Sequence, residues 1–311
     1  MLTILGSGGA IANELTSLLA ARRTPFRQVS RKGAGVKGAA ETLAADISNK
    51  EQAIGAVAGS SIVFLLVGLK YDHRVWEETW PRIMANTIEA CKRAGAKLVF
   101  FDNVYMYGWV RGAMTEETPY RPTSRKGEVR ARIATSLQEA WMSGGLTAMI
   151  ARSADFYGPN ARTGIPNVLF FDPLSKRQTA SCLISEVLPH SYTYTPDAAK
   201  ALLALAETES AWNQVWHLPT APAPLTGREF LLKAADVLGV KPKYRVLRRP
   251  MLRVAGWFNP MVRELYEMLY QNDSPYIFDS SKYARAFGFA GTPYAEGIRA
   301  TAAAYGKKSS G

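Results

Sequence analysis

Leu2-Thr3-Ile4-Leu5-Gly6-Ser7-Gly8-Gly9-Ala10-Ile11-Ala12 opens the chain as a short apolar strand, a glycine turn and the first turn of an amphipathic helix. A strand that runs through glycines into a helix is a cradle for a dinucleotide's phosphates. The helix aims unpaired N–H groups and the positive end of its dipole at the turn, and glycine lets an anion approach the backbone. In this spacing Gly6 makes the sharp bend, Gly9 leaves room for the diphosphate, and Ala12 takes the small position where helix and sheet pack together. The pattern is GxxGxxA, because Ile11 stands where GxGxxG needs its last glycine. An ordinary strand-to-helix turn has the same letters, so the rest of the chain must supply the context.

That context alternates. Phe26–Ser30, Ile62–Val67, Lys97–Phe101 and Leu146–Ala151 have strand character, with helical periodicity at Trp76–Arg93 and at Lys126–Trp141, the latter ended by Gly144-Gly145. Such alternation predicts an α/β fold, a Rossmann doubly wound parallel sheet, over residues 1–160. Beyond Gly158-Pro159 glycines and prolines thicken. Asp197–Ala206 is nevertheless a helix pattern and Gln214–His217 a strand, so about 190–218 are expected to rejoin the first domain. Residues 161–189 and 219–306 then form a smaller, interleaved C-terminal substrate lobe, and 307–311 a loose polar tail.

Composition narrows the class. A chain of 311 residues, 47% hydrophobic and 21% charged, is ordinary globular material. Cys91 and Cys182 are too far apart for a CxxC pair, which argues against a disulfide framework or a zinc cluster, and His73 and His217 lack partners at ligand spacing, so no metal is expected. Without an apparent leader or a membrane-length apolar run, a cytoplasmic location is expected. The net charge of +12 favours anionic partners, yet the basic residues fall into separate groups without a nucleic-acid motif. A small-molecule substrate is expected and nucleic acid is not, with the chain a monomer or homodimer. Met251–Tyr270 mixes Met, Trp, Phe, Leu and Tyr at helical spacing just after Arg245–Arg253. It suits a core or subunit contact, or a cap over an apolar substrate. An anionic membrane surface ranks last for it, and membrane contact is not expected.

Six segments in register resemble the extended short-chain dehydrogenases/reductases, the family that includes nucleotide-sugar epimerases and dehydratases. After the glycine turn, Ala45-Asp46-Ile47 resembles the element that meets the adenine ring, and Val67-Gly68-Leu69 the loop beside the cofactor. Val104-Tyr105-Met106-Tyr107-Gly108 is similar to the V-Y-G strand end, and Glu116–Pro122 to E-x-x-P-x-x-P. Arg152–Pro159 resembles R-x-x-N-V-Y-G-P, and Asp279-Ser280-Ser281-Lys282 with Phe287-Gly288-Phe289 the closing D-x-S-K…L-G-W. The resemblance implies a cofactor held by Gly6, Ser7, Gly9, Ala10, Ile11, Asp46, Ile47, Val67, Gly68 and Leu69.

The departures bear on chemistry. The Tyr-x-x-x-Lys pair that the resemblance leads one to expect is here Lys126…Arg130, the usual serine or threonine is Asn103, and the Asn of R-x-x-N is Asp155. This is similar to atypical branches of the family with an altered catalytic tetrad. At i, i+4 spacing Lys126 and Arg130 share a helix face, so either two cations serve an oxyanion or a solvated basic face does nothing. Tyr105 is the better proton donor at the strand end and Asn103 replaces a hydroxyl in orienting substrate, while Tyr107 is either packing or substrate wall. Tyr157 is expected in the site wall, and His190 where the family often has a substrate-contacting arginine. The second strand ends Ser30-Arg31-Lys32 with no acid for ribose hydroxyls, which favours NADP over NAD. These residues point to hydride transfer at an oxygen-bearing carbon, in an NADP-dependent oxidoreductase or epimerase-like enzyme. The alternative is a non-catalytic NADP-binding sensor or assembly protein.

Overall fold

In the computed structural model, which describes residues 1–33, 35 and 37–306, contacts divide the chain into two units. One comprises Met1–Met106, Arg125–Arg152 and Ala199–Trp216; the other comprises Tyr107–Ser124, Ser153–Ala198 and the described residues from His217 on. The seams differ from those expected. Residues 107–124 and 153–160 leave the first unit, and 190–198 do not rejoin it. The tail at 307–311 lies outside the described residues.

The first unit is built on near-continuous apolar runs, the pattern of strands buried on both faces. It contains β1 (Leu2–Leu5), α1 (Ala10–Ala21), β2 (Phe26–Ser30), β3 (Glu41–Ala44), α2 (Lys50–Val57), β4 (Ile62–Leu65), α3 (His73–Ala94), β5 (Lys97–Asp102), α4 (Arg125–Met142) and β6 (Ala148–Arg152). Next come α5 (Thr195–Ala206) and β7 (Val215–His217), and the sheet order is β7-β6-β5-β4-β1-β2-β3. The pairs from β3 across to β6 are parallel, with Leu5 opposite both Val29 and Leu65. This is a doubly wound sheet whose strand order reverses beside β1, where such folds hold their ligands. Helix α3 starts a turn earlier than its apolar pattern, since the Asp72 side chain accepts from the Arg74 N–H, and it stops at left-handed Gly95.

In the second unit the strand Ala180–Leu183 runs parallel to Tyr244–Leu247. Phe230, on α6 (Gly227–Val237), centres an aromatic core with Tyr157, Phe171, Tyr192 and Tyr294. A capping box between Thr226 and Glu229 starts α6. Helices α7 (Arg249–Phe258) and α8 (Pro260–Tyr266) follow.

Candidate cofactor and catalytic site

Gly6 adopts φ 112°, and a β-carbon there would lie 3.0 Å from the backbone of Leu66 and Val67. Only glycine lets the end of β1 pass so close to the loop after β4. At Gly9, by contrast, an added β-carbon would meet nothing within 4 Å, and the same holds at Gly68. Gly9 is the N-cap of α1, and that helix start has no side-chain cap. An uncapped helix start beside open backbone fits a diphosphate. Ala10 and Ile11 have buried side chains, so what they offer an anion is backbone N–H, while Ser7 is half-buried.

At the far end of β2 the Ser30 hydroxyl is buried without a partner among the described residues. Arg31 and Lys32, both exposed, follow it in a turn closed by the Gly33 N–H on the Ser30 carbonyl. Asp46 accepts from the Ser48 N–H at 3.0 Å and the Ser48 hydroxyl at 2.7 Å. Those bonds, joined by the charges of Arg31 and Arg82, hold its carboxyl below the usual range. Asn86 of α3 donates to the Ile47 carbonyl, fixing this loop, and Val67 and Leu69 are half-buried around Gly68. The residues present therefore fit a nicotinamide dinucleotide.

Deeper in the same unit, Asp102 at the end of β5 is fully buried. It accepts from Arg130 Nε at 2.7 Å, from Arg152 Nε at 3.4 Å and from the Asn103 N–H at 2.9 Å. Arg130 also lies over the rings of Trp80, Phe100 and Trp76. It is thus turned into the strand end and the aromatic layer and does not lie on a solvated basic face. Lys126, one turn earlier on α4, is wholly buried with its Nζ 4.6 Å from the centre of the Tyr71 ring. Asn103 Oδ1 accepts from the Tyr105 N–H, which leaves the Asn103 amide protons as its remaining donors. The Tyr105 ring stacks on Trp76. Lys126, Asn103 and Tyr105 accordingly belong to one unit, around the end of β5 and the start of α4. The sequence reading does not single out Tyr71, Trp76 or Trp80. Their signal is aromatic spacing at the start of α3, facing the same strand end.

Three predicted residues fall in the second unit. Tyr107, fully buried, shares a hydrogen bond of 2.8 Å with His217 Nε2. Because His217 Nδ1 faces the Asp279 carbonyl at 2.8 Å, Nδ1 carries the proton and the Tyr107 hydroxyl is the donor. Tyr107 is therefore packed in the core with its hydroxyl committed to His217. The Glu116 carboxylate accepts the His217 backbone N–H, and burial raises its pKa. Tyr157 is corrected from site wall to core: it is 1% exposed, packed against Phe230 and Tyr294, and burial pushes its hydroxyl pKa up. Pairing of Phe156-Tyr157 with Thr193-Tyr194 turns that ring inward. His190 is stacked between Tyr192 and Tyr276, with Nε2 3.0 Å from Asp155 Oδ2, and it lines a cavity with Cys182, Leu183 and Gln271. Asp155, at the position that departs from R-x-x-N, is thus the partner of His190. Both cysteines are free and buried, and burial pushes each thiol up to about 12.

The sequence model of the NAD dependent epimerase/dehydratase family matches residues 2–216. Among curated proteins, the chain is 22% identical over 304 residues to the 3beta-hydroxysteroid-dehydrogenase/decarboxylase isoform 2 of Arabidopsis thaliana. The match covers 85% of this chain and 52% of that protein. The chain thus spans about half the length of the curated relative it matches. Two solved structures share the fold. The NAD complex of UDP-glucose 4-epimerase from Thermus thermophilus is 20% identical with a TM-score of 0.78, covering 98% of this chain and 99% of that one. The dTDP-glucose 4,6-dehydratase of Streptomyces venezuelae, with NAD bound, is 18% identical with a TM-score of 0.79, covering 100% and 98%.

Proposed function

The chain belongs to the NAD dependent epimerase/dehydratase family, and on that premise we propose that it is an NADP-dependent oxidoreductase or epimerase-like enzyme. It exchanges hydride with an oxygen-bearing carbon of a small-molecule substrate. The nicotinamide, when bound, supplies or takes up that hydride. Backbone groups of Gly6, Ser7, Gly9, Ala10 and Ile11 hold the diphosphate, Asp46 and Ile47 meet the adenine, and Val67, Gly68 and Leu69 line the approach. Arg31 and Lys32 take the 2′-phosphate, which guanidinium and ammonium groups recognise and a carboxylate would repel.

The observation that carries the catalytic reading is Lys126, a wholly buried cation over the Tyr71 ring in the unit that holds the cradle. A buried positive charge stabilises an oxygen anion far more than a solvated one does. Tyr105 delivers the proton, the Asn103 amide orients the substrate oxygen, and Arg130 acts one step back by fixing Asp102 and so the strand end from which Asn103 and Tyr105 project.

Titration of the protein with NADPH and NADH, followed by turnover across a panel of carbonyls and alcohols, tests this. Arg31→Asp is expected to weaken NADPH about tenfold or more relative to NADH, and Lys126→Met to lower kcat about 10²-fold with cofactor affinity retained. The tie-up of Arg130 by Asp102 favours the other reading, a sensor or assembly protein. That reading wins if NADPH binds tightly but wild type and Lys126→Met are equally inert. The NADP assignment fails if Arg31→Asp leaves the NADPH-to-NADH ratio unchanged.

A further inference from the structure

Helix α7 is amphipathic in the reverse of the usual sense. Its inward residue Leu252 is buried in a small cluster with Leu183 and Leu269. Its outward stripe, spaced i, i+3, i+6 and i+7, is Met251, Val254, Trp257 and Phe258, all exposed. Trp257 is 72% exposed and Phe258 84%. Helix α8 packs directly against α7, since a β-carbon on buried Gly256 would stand 3.3 Å from the Arg263 Cα. Met261, 58% exposed, extends the patch there. Single apolar residues on a surface are ordinary, but a run of large apolar side chains at this exposure marks a docking face.

The charges around the patch identify what covers it. From Tyr244 to Arg263 the chain carries five arginines and no acidic residue. Arg249 is paired with Asp273, while Arg245, Arg248, Arg253 and Arg263 are exposed. In a twofold contact between copies the same patch would face itself, and four arginines on each side would be pressed against like charges. An apolar protein partner would leave those arginines without counter-ions. A lipid surface with anionic headgroups satisfies both halves: acyl chains take Trp257, Phe258, Met251 and Met261, and phosphates take the guanidiniums around them. Tryptophan is the side chain that settles best at the boundary of headgroup and hydrocarbon.

We propose that the outward face of α7 and the start of α8 is a peripheral membrane-docking site for anionic phospholipid. This reverses the expectation from sequence that membrane contact does not occur, and it involves no membrane crossing. Among the described residues no helix is long and apolar enough for that. Sequence misleads here because an apolar helical stripe looks the same whether it faces a core or faces outward; only burial separates the two.

The test is co-flotation of the full chain with vesicles of phosphatidylcholine alone and with vesicles containing about one-third phosphatidylglycerol. Recovery is expected with the anionic vesicles and at least tenfold weaker binding to the neutral ones. Raising sodium chloride from about 0.1 M to about 1 M, which cuts the Debye length from about 10 Å to about 3 Å, is expected to weaken binding about tenfold. Trp257→Ser with Phe258→Ser is expected to abolish flotation, and Arg248→Glu with Arg253→Glu to remove the preference for phosphatidylglycerol. Unchanged thermal melting and NADPH titration would show each variant folded. Absence of flotation with anionic vesicles, or flotation unaffected by the Trp257→Ser and Phe258→Ser pair, overturns the proposal. So does a dimer in sedimentation velocity that this pair dissociates, since that outcome assigns the face to a second copy of the chain.

Discussion

Asp102 places a carboxylate at zero exposure, which is tolerable only because Arg130, Arg152 and the Asn103 N–H surround it. Removing one member of such a group takes a charged partner from groups that stay desolvated. Asp102→Asn is therefore expected to cost about 3–5 kcal/mol in urea unfolding, and Asp102→Asn with Arg130→Met to recover part of it. A cost below about 1 kcal/mol would show that the carboxylate carries little of the strand end. The same residues mark where sequence reading stops short. Spacing of four puts Lys126 and Arg130 on one face of a helix, but it does not say how deep each lies or which acceptor is nearer. Nothing in the sequence around Asp102 marks it as a buried carboxylate. Its reach to two guanidiniums depends on β5, β6 and α4 meeting, and no local pattern encodes that. Tyr157 escapes for the same reason, since inward and outward faces of a two-residue strand look alike until its partner is known.

At the level of elements, Gly108 shows what the V-Y-G motif does. It has φ 67°, and a β-carbon there would overlap the carbonyl oxygen of Arg121. The V-Y-G glycine and the proline-rich stretch are thus one packed crossing of two loop segments. Gly108→Ala is expected to destabilise the chain by about 3 kcal/mol or more, from the steric overlap together with the left-handed backbone, measured as a lowered midpoint in urea. A midpoint equal to wild type would mean that Arg121 moves aside freely. Of the elements, the buried parallel strands are legible because a continuous apolar run such as Ile62–Leu65 has few other homes. Strand β3 is not, because Glu41-Thr42-Leu43-Ala44 is a four-residue edge with alternate exposure and weak apolar content. The apolar pattern also places the start of α3 a turn late, because the N-cap Asp72 and not the first tryptophan starts the helix.

Across the whole molecule, the chain moves between its two units several times, and the first unit needs residues as late as Trp216. A fragment ending at Arg152 keeps the glycine turn and both cations after β2 but loses all of α5 and β7. It is expected to bind nicotinamide dinucleotide at least tenfold more weakly than the full chain and to run as an aggregate in size exclusion, with sheet edge exposed. Full affinity in that fragment would show that the later segments add nothing to the cradle. The return of the chain to the first unit is legible from the strand pattern at Gln214–His217; the bounds of the two units are not, because they follow contacts and not composition.

The late arrival of β7 has a consequence for biosynthesis. As the polypeptide leaves the ribosome at about 5–20 residues per second, β6 emerges on the order of seconds before the strand that flanks it. Throughout that interval the outer rim of β6 offers unpaired amides and carbonyls to any neighbouring nascent chain, so slowed translation between Arg152 and Val215 should raise the yield of misassembled product more than slowed translation anywhere after it.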